Sequence, residues 1–277
     1  MTTLRLGTYN LLNGGGDRFY AQAEFLGRQN LDVLCLQEAK RWDEDGHARM
    51  RAFADHLGMQ ALFAPSNSHR CHLVTLFRWP RVCCTSFRPD VAEGQFHHAV
   101  SRADLTVSGP EIQVLNTHLS PFSGSSRARE ADWLTEYAAP GRRAVLAGEL
   151  NVQGLADDER PDWDALPRHL HSRHRLQHSD GSYGGSDRLA MAKLVHAKFT
   201  DPVTALGIPV AHTAGYWNPT ELWDHRSDHI RLAPGLACSL TRYEVLDTDR
   251  TRSLSDHLPV IVTLTLPQER RAACTRT

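Results

Sequence analysis

Ala144-Val145-Leu146-Ala147-Gly148-Glu149-Leu150-Asn151 is a run of small and apolar residues that ends in a carboxylate and an amide. Its apolar part reads as a buried strand. Glu149 and Asn151 then stand at the strand end, where a polar side chain can leave a core and face a cleft. The same construction recurs along the chain. Leu34-Cys35-Leu36-Gln37 is followed by Glu38, and Val114-Leu115-Asn116-Thr117 by His118. A first strand, alternating over residues 5–10, ends at Asn10. Asp228 opens a late strand, and Asp256-His257 immediately precede the last apolar run. Each such residue, taken singly, is an ordinary capping or turn residue. Together they predict a polar site assembled from distant segments.

Working outward, short apolar runs predict strands at 5–10, 32–37, 73–77, 81–87, 98–107, 112–118, 144–150, 227–232, 241–246 and 258–266. Helical spacing marks 19–29, 47–57, 127–137 and 189–196. Residues 154–190 are polar and rich in His, Asp, Arg and Gly, and read as long loops. Hairpin-like strand pairs mixed with helices point to an α+β or layered α/β architecture. No repeat is visible. No Gly/Ser-rich or Pro-rich stretch is long enough for a linker, so residues 1–277 are expected to form one domain.

Composition narrows the function. The chain has 277 residues, 41% of them hydrophobic, and a formal net charge of −1. A near-neutral balance disfavours strong, sequence-blind grip on a polyanion, although a few phosphate contacts remain open to it. Only Lys40, Lys193 and Lys198 are lysines among 31 basic residues, a bias expected of a GC-rich bacterial genome. Neither a signal peptide nor a membrane-spanning run is read from the sequence. The six cysteines (Cys35, Cys71, Cys83, Cys84, Cys238, Cys274) form no CxxC pair or zinc-like spacing. A cytoplasmic monomer with free thiols is therefore expected.

The strand-end set is rich in oxygen donors, which suit magnesium or manganese better than zinc. A histidine beside a carboxylate suits proton transfer or hydrogen bonding to a developing oxyanion. Thr8-Tyr9-Asn10, Leu36-Gln37-Glu38, Asn116-Thr117-His118-Leu119, Gly148-Glu149-Leu150-Asn151, Ser227-Asp228-His229-Ile230 and Ser255-Asp256-His257-Leu258-Pro259-Val260 resemble the successive motifs of the endonuclease/exonuclease/phosphatase superfamily. They fall in the family's order and span nearly the whole chain. A single tripeptide is a weak signal; six in order are specific.

The resemblance implies a four-layer α/β (α+β) sandwich of two packed mixed β-sheets flanked by helices. It implies a phosphoric ester hydrolase that uses Mg2+ or Mn2+, with Glu38 holding the metal and Asn10 and Asp256 nearby. His118, Glu149, Asn151, Asp228 and His257 become the expected catalytic residues, with Asp228 orienting His257 and Glu149 acting on the attacking water. His229, from the other Ser-Asp-His tripeptide, is expected to be structural. His118 is similar to the histidine of deoxyribonuclease-, sphingomyelinase-, deadenylase- and inositol-phosphatase-like members, where AP endonucleases carry tyrosine. The chain departs from the family's Gly-Asp-x-Asn at Glu149, whose extra methylene displaces the carboxylate by roughly 1.5 Å.

The expected substrate is a phosphodiester, foremost in nucleic acid. The alternatives are a small phosphorylated metabolite or lipid head group, and a catalytically impaired binding protein of the same fold. Further candidate contacts to substrate are Arg127 and Arg129, close after His118; His98, in Phe96-His97-His98; and Trp217, in Tyr216-Trp217-Asn218-Pro219. Each has a plainer reading as packing or surface. The basic stretch 167–178 reads either as a phosphate grip or as a solvated loop. His174 and His178 are spaced i,i+4, but no carboxylate close in sequence completes a metal site with them.

Overall fold

The computed structural model describes residues 1–107, 109, 111–221 and 223–267. Alternation along the strands explains how the layers form. In β1 (Thr2–Asn10), Leu4 and Leu6 point the same way and are fully buried. They meet Val33 and Cys35 of β2 (Val33–Gln37) and the row Val260, Val262, Leu264 and Leu266 of the last strand. Across the gap stand Ala103 and Leu105, Val114, Val145 and Ala147, and Ile230 and Leu232, from four strands of a second sheet. Residues i and i+2 share a face, so each strand gives one row to this central core.

The first sheet contains β1, β2, β3 (Gln60–Ala64), β4 (Leu73–Phe77), β12 (Leu240–Val245) and β13 (Val260–Leu266), in the order β12-β13-β1-β2-β4-β3. The second contains β5 (Cys83–Arg88), β6 (Ala99–Thr106), β7 (Glu111–His118), β8 (Ala144–Glu149) and β11 (Asp228–Leu232), in the order β11-β8-β7-β6-β5. Both sheets are mixed: β1 and β2 pair in parallel, as do β7 and β8, and the remaining pairs are antiparallel.

The opposite parity of each strand faces helices. Leu34, Leu36, Val74 and Leu76 pack against Phe19, Ala23 and Leu26 of α1 (Phe19–Gly27) and Phe53, Ala54 and Leu57 of α2 (Ala48–Leu57). On the other side Val100, Leu115 and Leu146 meet Ala131 and Leu134 of α3 (Gly124–Thr135). Two further helices follow, the one-turn α4 (His171–His174) and α5 (Leu189–His196), which adds Met191 and Leu194 to this layer. The result is the expected helix–sheet–sheet–helix sandwich.

Some local expectations change. β3 and the short helix Pro202–Leu206 have no counterpart in the sequence reading. The polar stretch 154–190 is more than loop: it holds α4 and a hairpin of β9 (Arg175–Gln177) and β10 (Tyr183–Ser186). Cys35, Cys71, Cys84 and Cys238 are free thiols as expected, whereas Cys83 is disulfide-bonded, which corrects the expectation there. Cys274 lies outside the described residues. No helix among the described residues is long and apolar enough to cross a membrane.

Candidate active site

The central core changes character at one end of the sandwich. Along β7 the inward row runs Ile112, Val114, Asn116, His118; along β8 it runs Val145, Ala147, Glu149; along β11 it begins at Asp228. Register pairs His118 with Glu149 and Glu149 with Asp228, so these three side chains form one transverse row on the same face. Just inside it, Gln37 Nε2 donates to Asn116 Oδ1 (2.8 Å) and to Thr8 Oγ1 (3.0 Å), a polar pin between the sheets. Gly148 permits the close pairing beneath Glu149. It has φ 150°, and a Cβ there would lie 1.9 Å from the Thr117 carbonyl oxygen.

Glu149 is the hub of the row. Its Oε2 accepts from Asn10 Nδ2 (2.5 Å) and lies 3.1 Å from His118 Nε2, and its Oε1 is 3.7 Å from His257 Nε2. Burial pushes its carboxyl above the usual range; the imidazoles of His118 and His257 pull the other way, and the charges of Asp228 and Glu38 add to the rise. His118 packs against His98, with ring centroids 4.3 Å apart and the rings tilted by 37°, and its Nδ1 is buried with no partner among the described residues. Burial and the neighbouring imidazoles push His98 down to about 2, which leaves it neutral.

Glu38 follows β2 with φ 55°, a left-handed turn that is rare for a residue with a side chain. Its Oε2 accepts the Asn13 N–H at 2.9 Å. Burial alone would raise its carboxyl, but His118, the Asn13 N–H, Lys40 and His257 together hold it below the usual range. One ligand atom each from Glu38, His118 and Glu149 lie within 4.8 Å of one another, close enough to hold one metal ion. The cleft beside them has a volume of about 430 Å3 and is lined by four carboxylates, Glu38, Glu149, Glu221 and Asp256. An anionic phosphoester meets repulsion there unless a cation intervenes. The donors, mostly oxygen, thus fit a hard divalent ion.

His257 and Asp228 form a buried dyad. His257 Nδ1 lies 2.8 Å from Asp228 Oδ2, which also accepts from Thr213 Oγ1 at 2.7 Å. Burial would lower the imidazole, but the carboxylates of Asp228 and Glu149 outweigh it and hold His257 well above its ordinary value. Asn151, with φ 52°, donates from Nδ2 to the Leu119 carbonyl and lines the cleft. His229 is buried behind this layer, its Nε2 2.7 Å from the Val152 carbonyl oxygen and its Nδ1 facing Arg231.

The structure thus brings together Asn10, Glu38, His118, Glu149, Asn151, Asp228, Asp256 and His257. The expected substrate contacts fare differently. Trp217 lines the cleft and is 41% exposed. Arg127 is 1% exposed, and its guanidinium is spent on the carbonyl oxygens of Ser120 (3.1 Å) and Arg173 (2.6 Å). His98 is buried behind His118. Arg129 is exposed on α3, where its Nη2 meets Ser126 Oγ, away from the residues lining the cleft. Arg127 and His98 are corrections, because packing uses or removes the group a substrate would need; Arg129 keeps an exposed side chain but is not among the residues lining the cleft.

Sequence reasoning found only part of the far wall of the cleft: the basic stretch 167–178, offered as a possible phosphate grip, contains two of its residues, whereas Glu221 and His225 carried no signal. Arg173, His174, Glu221 and His225 line this wall, and His174 Nε2 lies 3.2 Å from Glu221 Oε2. The histidine of the basic stretch therefore has a carboxylate partner, 47 positions away in sequence. Thr213, which holds Asp228, carried no signal at all.

No protein-family model matches the sequence, and no curated protein does. Solved structures match over nearly the whole chain. An AP endonuclease from Archaeoglobus fulgidus superposes with a TM-score of 0.70 at 21% identity, covering 95% of this chain and 100% of that one. An endonuclease/exonuclease/phosphatase protein from Bacteroides vulgatus gives 0.69 at 16%, covering 96% and 100%. A mannosyl-6-phosphatase from Bacteroides thetaiotaomicron gives 0.63 at 16%, covering 95% and 100%. The chain has the endonuclease/exonuclease/phosphatase fold.

Proposed function

We propose that this protein is a divalent-metal-dependent phosphoesterase that hydrolyses a phosphodiester, in nucleic acid before other substrates. The observation that carries the reading is the convergence of an ionised Glu38, a buried Glu149 and the His257–Asp228 dyad on one carboxylate-lined cleft. Fold likeness alone would not suffice, since one fold hosts many chemistries.

Glu38 would be the principal ligand of Mg2+ or Mn2+, with Asn10 and Asp256 nearby and His118 and Glu149 within reach of the same position. The ion, when bound, neutralises phosphoryl charge and stabilises the leaving oxygen. Glu149 takes a proton from the attacking water; its raised pKa brings it nearer the operating pH, as a general base requires. The water oxygen forms the new bond to phosphorus, and the ester oxygen departs with its electron pair. His257, charged and fixed by Asp228, donates a hydrogen bond to the phosphoryl group and can supply the departing oxygen's proton. His118 is a second donor beside Glu149.

A rival substrate is a small phosphorylated molecule. The near-neutral net charge favours it, and the likeness to a mannosyl-6-phosphatase is compatible with it. The test is hydrolysis of a plasmid, single-stranded oligonucleotides, bis-p-nitrophenyl phosphate and p-nitrophenyl phosphate with added magnesium or manganese. Diester turnover by the wild type, abolished in a folded Glu38→Ala variant, is expected. No turnover of any substrate, or unchanged turnover in Glu38→Ala, would overturn the reading.

A further inference from the structure

Arg173 is the one arginine or lysine among the described residues that line the cleft. Its guanidinium makes no hydrogen bond or close ion pair within the described residues, although its charge, with His174 and His225, helps hold Glu221 below the usual carboxylate range. Glu221, on the same wall, is occupied by His174 at 3.2 Å. The side chain is nonetheless held in place. Its guanidinium carbon lies over the Phe122 ring at 5.3 Å, and its carbonyl is anchored by the buried Arg127. A positioned guanidinium with no hydrogen-bonded partner, in a cleft otherwise rich in carboxylates, is a ready partner for an anion, and its planar fork suits phosphate. It comes from α4, whereas the groups that handle the reacting phosphorus stand at the sheet ends. Its separate origin leaves it available to an anionic group other than the reacting one.

Trp217 supplies an independent constraint. Its ring is fixed by an indole N–H donated to the Arg252 carbonyl (2.9 Å) and by Arg18 at 5.2 Å, yet it remains 41% exposed on the same cleft. Fixed, exposed aromatic rings beside a phosphate-binding groove are stacking platforms for unpaired bases.

We propose that Arg173 binds the phosphate next to the scissile one and Trp217 stacks an adjoining base, which makes single-stranded oligonucleotides with two or more phosphodiesters the substrates of this cleft. The inference rests on the phosphoesterase reading above and narrows it.

Binding and turnover test it separately. With magnesium present, anisotropy of a 5′-fluorescein hexathymidylate whose linkages are phosphorothioates, which keep the charge and resist hydrolysis, is measured against KCl concentration. One lost phosphate contact on a single strand should lower the slope of log K against log salt by about 0.7 in Arg173→Met. Arg129→Ala, off the cleft, should match the wild type. Trp217→Leu should weaken binding about tenfold, as loss of one stacked base does. With metal, the wild type should favour the thymidine trinucleotide, with two phosphates, over the dinucleotide, with one, by about tenfold in kcat/KM, and Arg173→Met should erase that ratio. Equal salt slopes for wild type and Arg173→Met, or wild-type binding of hexamer no tighter than dinucleotide, would overturn the proposal. If it falls while bis-p-nitrophenyl phosphate is still hydrolysed in a Glu38-dependent way, only the substrate class is lost. If no diester is hydrolysed, the broader reading falls and the binding arm still decides Arg173.

Discussion

Asp228→Asn separates charge from geometry. Both hydrogen bonds to Asp228 reach one atom, Oδ2, which receives His257 Nδ1 at 2.8 Å and Thr213 Oγ1 at 2.7 Å. An asparagine carbonyl oxygen can accept both, so His257 keeps its orientation while the negative charge disappears. Two unit charges about 4 Å apart at an effective dielectric near 20 attract by about 4 kcal/mol, roughly a thousandfold in the protonation equilibrium. That attraction helps hold the imidazolium well above its ordinary range against the cost of burial. The new amide NH2 would replace Oδ1, a buried atom with no partner among the described residues, at a stability cost of about 1–3 kcal/mol. NMR titration of the metal-free protein should show the His257 midpoint moving down in the variant. In turnover, the high-pH limb of kcat/KM should move the same way, and kcat should fall by about 10²–10⁴. Linkage gives a third check. A raised folded pKa contributes stability fully present below the unfolded value near 6.5, lost as pH rises through the folded one. The wild type should therefore lose stability on alkalinisation more steeply than Asp228→Asn. An unchanged His257 titration would refute the reasoning whatever the enzyme does.

Two further predictions follow from buried charges. Because Glu149 reaches Asn10, His118 and His257 at once, its backbone is fitted to glutamate. Glu149→Asp, shorter by roughly 1.5 Å, should therefore lose turnover, and Glu149→Gln should lose about 10²–10⁴ in kcat; equal rates for all three would remove Glu149 from the chemistry. Arg226 is 1% exposed and binds Asp157 (2.6 and 3.0 Å) and Asp201 (2.8 and 3.1 Å), so Arg226→Met should cost about 3–5 kcal/mol in urea unfolding. Burial would raise Asp201, but Arg231 and Arg226 hold it well below the carboxylate range. Its contribution is therefore present above the unfolded pKa near 3.9 and lost as pH falls through the folded value. Acid unfolding followed by circular dichroism should begin at higher pH in the variant, and coincident acid transitions would contradict this.

The sequence was legible where tertiary structure prolongs a local pattern. Alternation puts Val145, Ala147 and Glu149 on one face, so a polar group after an apolar row marks the end of a shared core. The same rule finds His118 and Asp228. It failed where the deciding contact is remote. The reading of His174 looked for a carboxylate close by, and the one it meets is Glu221. Arg127 looked like a helix-surface residue, but α3 packs on α5 and the chain around Arg173 closes over it. β3 has a poorly alternating, half-buried pattern, and the hairpin of β9 and β10 buries little that periodicity could reveal.

The transverse row of His118, Glu149 and Asp228 also governs how this protein can vary. A one-residue slip of β8 would turn Val145, Ala147 and Glu149 toward the helical layer and leave no carboxylate between the two neighbours, however conservative the remaining sequence. Arg173 hangs instead on the chain between β8 and β9, where lengthening costs only slowly growing closure entropy. Point substitutions and insertions therefore explore different properties here: the strands can be repainted but not re-indexed, and the exposed turns of the 154–190 stretch, away from the buried Asp157 and Asp187, can be re-indexed at little cost. A library of insertions in that stretch should change what the cleft accepts while leaving its chemistry alone.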